Sequence, residues 1–402
     1  MGANSDAFAG GFVGGVGDPV MGTVLARRTR LQQPEATVTQ WLDDRNQRAV
    51  LFKQFTESSF GFAPPSRRSM NWPMRIAVTG GAGFIGSHLV ENLLQNDHDV
   101  LCIDNFDPFY PATVKLANLS QVAEHPKLAV SAVDLADPVA VDDVVGQFRP
   151  NVVFHMAATA GVRPSIERPM VYVRLNVDAT QSLLSACTNH GVERVVLAGS
   201  SSVYGKDQPA PFHEETASSE PQSPYAATKR AMELLAAAHA SVHGTTITVC
   251  RLFTVYGPRQ RPDLAISRFV RAILADQPIS IFGDGTFARD FTFVDDTVAG
   301  LLAAMKAPNG YRVYNLGAGK PSSVNDLVAT IERVMGKKAK VSHTSEQKGD
   351  VPLTYASVQR AADELGWRAK VDLEEGIRRF VVWAREARPV YFRVGEPWTL
   401  GV

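Results

Sequence analysis

The feature that most restricts this chain is a run of glycines set between an apolar pentapeptide and a helical pattern. Arg75-Ile-Ala-Val-Thr79 is a short apolar run of the kind a buried parallel strand needs. Gly80-Gly-Ala-Gly83-Phe84-Ile85-Gly86 follows at once, and Ser87–Gln95 then carries helical spacing. In that order the first glycine permits a tight turn and the second lets backbone approach a pyrophosphate. The third lets helix and strand pack closely. The helix N-terminus adds free N–H groups and the positive end of a dipole. The segment reads as the opening βαβ unit of a dinucleotide site.

The next strand, Asp99-Val-Leu-Cys-Ile-Asp104, ends in an acid 24 positions after Gly80, with Asn105 beside it. A carboxylate there accepts from an adenosine ribose and repels a 2′-phosphate, which favours NAD over NADP. Asp134-Leu135 is expected to close the third strand and face the adenine. Val152-Val-Phe-His-Met-Ala157-Ala158 closes the fourth with small residues where a cofactor needs close approach. His155, in an apolar strand, is read as structural. Ile166–Cys187 reads as one long helix, Arg194–Gly199 as a strand, Pro224–Val242 as a helix and Thr245–Arg251 as a strand. This alternation implies an α/β fold, a Rossmann-type doubly wound parallel sheet.

Ser223-Pro-Tyr225-Ala-Ala-Thr-Lys229 opens a helix, and a spacing of four puts Tyr225 and Lys229 on one face. A free phenol titrates near 10 and is a poor base, but a neighbouring ammonium favours the phenolate. The pair is therefore a candidate for proton transfer to and from a hydroxyl. Ala198-Gly-Ser200-Ser201-Ser202-Val-Tyr-Gly205 sits at a strand end, where open α/β sheets bind ligands.

Composition narrows the partners. Lys+Arg 41 balance Asp+Glu 41, so charge gives no reason to expect nucleic acid or an anionic membrane surface. Cys102, Cys187 and Cys250 lie far apart, without metal-ligand spacing, and read as reduced thiols. No metal is expected, and no apolar run approaches the roughly 20 residues that span a bilayer. A cytoplasmic protein is the expectation. Residues 1–73 differ: Gly-rich at Phe8–Gly22 and linker-like at Phe62–Met70. Asp6, Asp18, Glu35, Asp43, Asp44 and Glu57 are too many acids for a transit peptide. An accessory segment with a helix around Thr37–Phe55 and a start of translation at Met74 both stay open. We read 1–73 as a poorly ordered or accessory extension. Residues 74–250 are the dinucleotide domain, 251–387 mainly a smaller C-terminal α/β substrate domain, and 388–402 a tail.

Together these motifs, with Arg289-Asp-Phe-Thr-Phe-Val-Asp295, resemble the nucleotide-sugar 4-epimerases of the extended short-chain dehydrogenase/reductase family, from about Met74 to Ala387. Ala160-Gly-Val-Arg163-Pro-Ser-Ile-Glu-Arg-Pro169 and Arg251–Ala265 are most similar to UDP-glucuronate 4-epimerases. The resemblance implies NAD as cofactor and a UDP-sugar as substrate. The catalytic set would be Tyr225, Lys229 and Ser200, with Ser201 and Ser202 beside the sugar. Arg289 would pair with the diphosphate, Asp350 hold the uridine ribose, and Ile281-Phe282 flank the uracil. A homodimer through Val171–Cys187 and Ala226–Ala240 is implied as well. Gln347 stands where galactose-type relatives carry an arginine, and Pro164 follows Arg163 in place of the usual Tyr or Asn.

The resemblance implies oxidation and re-reduction at a sugar C4, with Tyr225 moving the hydroxyl proton. A dehydratase or decarboxylase needs acids beside Val203-Tyr-Gly205 that this chain lacks, and a silent NAD-binding regulator would not need Ser200, Tyr225 and Lys229 together. A C6 carboxylate requires compensating donors. Arg163, Arg174, Arg261, Thr254 and the serines are available for it. UDP-glucuronate is therefore favoured over UDP-glucose/UDP-galactose.

Overall fold

The computed structural model describes residues 73–206, 208–345, 351–387 and 391. The expectations for residues 1–72, for Asp350 and for nearly all of the tail lie outside the described residues.

Seven strands form the main sheet: β1 (Arg75–Thr79), β2 (Asp99–Ile103), β3 (Leu128–Ser131), β4 (Val152–His155), β5 (Arg194–Ser200), β6 (Thr246–Leu252) and β10 (Tyr311–Leu316). Their order is β3-β2-β1-β4-β5-β6-β10, and every pairing is parallel. Strands buried on both faces explain the unbroken apolar runs. In β1, Ile76 and Val78 enter one core with Leu89, Val90 and Leu93 of the helix Phe84–Gln95. Ala77 enters the other, with Val141, Leu183 and Met232 from helices on the opposite face. Chain order reverses between β1 and β4. The helices that follow these two strands leave toward opposite faces, and a crevice opens at their carboxyl ends.

The chain leaves this sheet after Leu252 and rejoins it at Tyr311. Between and beyond these points lies a smaller layer. Its hub is β9 (Ala288–Phe293), paired with β7 (Thr254–Tyr256), β11 (Pro321–Ser323) and β13 (Leu353–Thr354), and beside it β8 (Ile279–Phe282) pairs with β12 (Val341–Thr344).

Two local expectations are corrected. β3 ends at Ser131, so Asp134 sits in the turn after it. The segment read as one helix, Ile166–Cys187, is interrupted at Arg168: Val162–Glu167 ends there, and helical backbone then runs from Pro169 to Asn189 through a π-turn, Val173–Asp178. Pro169 disfavours helical backbone in the residue before it, and Arg168 leaves the helix at φ −132, ψ 55. Among the described residues no helix is long and apolar enough to cross a membrane, and all three cysteines are buried and free.

Candidate active site

A cavity of about 410 Å³ lies at the β1/β4 crevice. Its floor is the glycine turn. Gly80 has φ +65, and a Cβ there would stand 2.8 Å from the backbone of Ala157. A Cβ on Gly86 would meet the Gly80 carbonyl at 2.2 Å. Gly80, Gly83, Phe84, Ile85 and Gly86 all line the cavity, as do Ala157 and Ala158 across from them. Bare backbone at a helix N-terminus, in a concave apolar site, fits a pyrophosphate, so the residues present suit a dinucleotide.

The opposite rim is held by groups that the sequence reading missed. Thr79 Oγ1 accepts from the Ala157 N–H (3.2 Å) and bonds His155 Nδ1 (2.8 Å), while His155 Nε2 bonds Thr180 Oγ1 (2.9 Å). Full burial pushes the His155 pKa down to about 3, so the ring is neutral and works as a bridge. This bears out its structural reading and supplies its partners. Asn176, buried in the π-turn, accepts from Thr159 N–H (2.8 Å) and donates to Thr228 Oγ1 (3.0 Å). One amide thus ties the cavity rim to the helix that carries Tyr225. No spacing rule marks a lone asparagine for such a role.

Asp104 is buried at the end of β2 and faces the cavity. Its oxygens accept from Ala82 N–H (3.2 Å), Phe106 N–H (2.9 Å) and Lys115 Nζ (3.0 Å). Asn105 is exposed and accepts from Asp107 N–H (3.0 Å). Asp134 and Leu135 line the same end, with Asp134 paired to Arg174 at 2.5 Å.

Tyr225 and Lys229 ride the helix Pro224–His243, whose start is set by Ser223 accepting from Ala226 N–H (3.1 Å) and by Pro224 in the first turn. Tyr225 and Ser200 stand together on the cavity lining. Ser200 accepts from Ser202 Oγ (2.9 Å) and Ser202 N–H (3.2 Å). The expectation that Lys229 lowers the Tyr225 pKa is not met in this arrangement. Burial raises the Tyr225 pKa, and the opposing influences are the nearby Ser200 hydroxyl and the Arg261 charge. Lys229 instead donates to the Ala198 carbonyl (2.8 Å), and burial brings its pKa down to about 8 against the attraction of Glu233. Glu233, one turn on, is clasped by Arg251 Nε and Nη2, both at 2.8 Å.

On the side expected to face the sugar, Ser201, Thr254 and Arg261 join Ser200 in lining the cavity, and Ser202 bonds to Ser200. Arg261 makes a two-point bond with Asp263 (3.0 and 2.7 Å) and lies over the Phe109 ring at 5.0 Å. Neither Phe109 nor Asp263 was foreseen. Arg163 stacks on Phe282 at 4.2 Å, away from the cavity lining. The alternation of β8 turns Ile281 into the core and leaves only Phe282 at the surface. Arg289, on β9, donates to the Ala288 carbonyl (3.0 Å). Its neighbour Asp290 is buried and accepts from Ala318, Gly319 and Ala356 N–H groups. Among the described residues no group of three or more His, Cys, Asp or Glu is placed to hold a metal ion.

A crevice of this kind belongs to enzymes that oxidise and reduce a hydroxyl carbon with a nicotinamide dinucleotide. Residues 76–317 match the NAD dependent epimerase/dehydratase family, and the chain belongs to it. UDP-glucuronate 4-epimerase from Thermodesulfobacterium geofontis is 42% identical over 310 residues, 77% of this chain and 95% of that protein. UDP-glucuronate 4-epimerase 3 of Arabidopsis thaliana is 35% identical over 396 residues, 89% of this chain and 92% of that one. The crystal structure of UDP-glucuronic acid 4-epimerase from Bacillus cereus, in complex with UDP-glucuronic acid and NAD, superposes with TM-score 0.74 at 34% identity, covering 78% of this chain and all of that one. A UDP-glucose 4-epimerase from Thermotoga maritima with UDP-glucose gives TM-score 0.73 at 32% identity, over 78% and 99% of the two chains.

Proposed function

We propose that this protein interconverts UDP-glucuronate and UDP-galacturonate by inverting the sugar C4. The observation that carries the reading is the cavity lining itself, where Tyr225 and Ser200 stand with Thr254 and the Arg261 guanidinium. NAD, when bound, supplies a reversible hydride acceptor facing the sugar. Tyr225 takes the C4 hydroxyl proton and gives it back. Ser200 holds the same oxygen through its hydroxyl, beside Tyr225 on the cavity lining. Lys229, charged below about pH 8 and held on the Ala198 carbonyl, acts on the phenol through the ligand hydroxyls between them rather than directly. Arg261 and Thr254 are the donors for the C6 carboxylate, in a site where an unpaired charge is costly. Ser201 and Ser202 flank the sugar. Arg289 holds the diphosphate, with Arg163 and Phe282 at the uridine end.

A specific observation favours a second reading, UDP-glucose/UDP-galactose 4-epimerisation. Asp263 already answers the charge of Arg261 from within the chain. Incubation with UDP-glucuronate followed by NMR decides between them. UDP-galacturonate without UDP-xylose is the expected result, and turnover of UDP-glucose alone would overturn it.

We also propose a homodimer in the cytoplasm. Leu234 and Val242 on the helix Pro224–His243, with Met170 and Val173 nearby in sequence on the preceding helical segments, are large apolar side chains left exposed. Light scattering of the purified protein gives the mass directly.

A further inference from the structure

Asp104 does not stand alone at the end of β2. Lys115, on the helix Ala112–Leu119, brings Nζ to 3.0 Å from Oδ1, and both side chains are more than nine-tenths buried. The Tyr110 ring lies 5.4 Å from the ammonium. All three residues line the cavity. We infer that Lys115 is a specificity-determining residue for the cofactor, reading the adenosine ribose together with Asp104 as a donor–acceptor pair. The inference rests on the placement of that ribose at Asp104.

The hydrogen-bond inventory carries the argument. A carboxylate offers about four acceptor positions. Three are taken on Asp104, by the Ala82 and Phe106 N–H groups and by Lys115. One position is left, on Oδ2, for a ribose hydroxyl. Lys115 has three donors and spends one on Asp104. A diol can therefore donate to Oδ2 and accept from Nζ at the same time.

Charge gives the second half. A lone carboxylate repels a 2′-phosphate and a lone ammonium attracts one. The Asp104–Lys115 pair sums to nearly zero at close range. Rejection of the phosphorylated cofactor then depends on Asp104 masking Lys115, and the buried ammonium is a phosphate-binding group held in check.

The test uses full-length protein incubated with equal NAD and NADP and desalted, with the bound nucleotides quantified by mass spectrometry. Asp104→Asn keeps an acceptor on one oxygen, for the Phe106 N–H and the ammonium, gives up the one that meets the Ala82 N–H, and removes the mask. It is expected to shift the bound ratio toward NADP by at least about tenfold. Adding Lys115→Met should erase most of that gain, whereas adding Lys115→Arg should keep it. The double variant leaves no unpaired buried charge, which protects its folding, and a thermal melt checks that it folds. If Asp104→Asn/Lys115→Met holds as much NADP as Asp104→Asn alone, the role of Lys115 is overturned. If Asp104→Asn changes neither NAD occupancy nor the ratio, the placement of the ribose at Asp104 is what fails.

Discussion

The two walls of the cavity are built on different terms. The dinucleotide wall is made mostly of backbone: glycines, alanines and N–H groups, braced by Thr79, His155, Thr180 and Asn176. Each brace bonds to another fixed group, so the wall keeps its shape by itself. The wall proposed for the sugar depends on a long side chain, Arg261, partnered by Asp263 and Phe109, and beyond the lining Arg163 stacks on Phe282. A UDP-sugar meeting those guanidiniums must share or displace the contacts they already have. The first wall is fixed by bonds between backbone and buried side chains, while the second is held by contacts that a ligand would compete for.

The harshest way to probe this contrast is at the seam between the walls. Tyr225→Phe removes the proton carrier but none of the dinucleotide wall. Turnover should fall by about 10²–10⁴-fold with NAD still bound, measured by NMR and by nucleotide content. Near-normal turnover would take Tyr225 out of the chemistry. Gly83→Val tests the first wall. Gly83 has φ −73 and ψ −178, which any residue adopts, so the new side chain fills the cradle at the cost of a shift of a few tenths of an ångström at the Gly80 carbonyl (Cβ at 3.1 Å). Retained NAD should drop roughly a hundredfold while the melting temperature moves by only a few degrees. Unchanged NAD content would mean that the glycine turn is not the cradle.

Arg261→Met tests the second wall. It should raise KM for UDP-glucuronate roughly 10–100-fold and leave UDP-glucose nearly unchanged, because only the carboxylate loses a partner. Equal losses for both sugars would make Arg261 a general support. The smallest effect is the pH dependence. Lys229 has a folded pKa near 8, below its usual 10.5. As pH rises through about 8 the folded protein loses that charge and kcat/KM should fall. Stability should rise between about 8 and 10.5, because only the unfolded chain still holds the proton there. A flat kcat/KM across that window would break the link between Lys229 and the phenol.

The same contrast decides what the sequence could reveal. β1, the glycine turn and its helix form one contiguous stretch, so spacing alone exposed them. Tyr225 and Lys229 share one helix face, and four residues suffice to place them together. Thr79, His155 and Thr180 come from three separate elements, and no local pattern announces that they meet. Lys115 escaped for the same reason: it follows Asp104 by eleven residues, across a loop whose path only the fold determines. The break at Pro169 was written in the sequence, but the apolar periodicity around it outweighed it. On the sugar wall, Arg261 and Thr254 were found through likeness to relatives, and Asp263 was overlooked because a carboxylate that restrains an arginine looks like any surface acid.

The chain's exit from the main sheet at Leu252 and its return at Tyr311 have a consequence for how such a protein can change. β6 and β10 are neighbours, with Leu252 paired to Leu316 and Ile247 to Tyr311. Because the two strands are parallel, exit and return lie at opposite ends of adjacent strands, five residues or roughly 17 Å apart along the ladder. The stretch between them works as a cassette held at both ends by the main sheet. It carries Thr254, Arg261, Phe282 and Arg289. New sugar preferences can be tried there, by exchange or by drift, while the machinery that handles the hydride and the proton stays where it is.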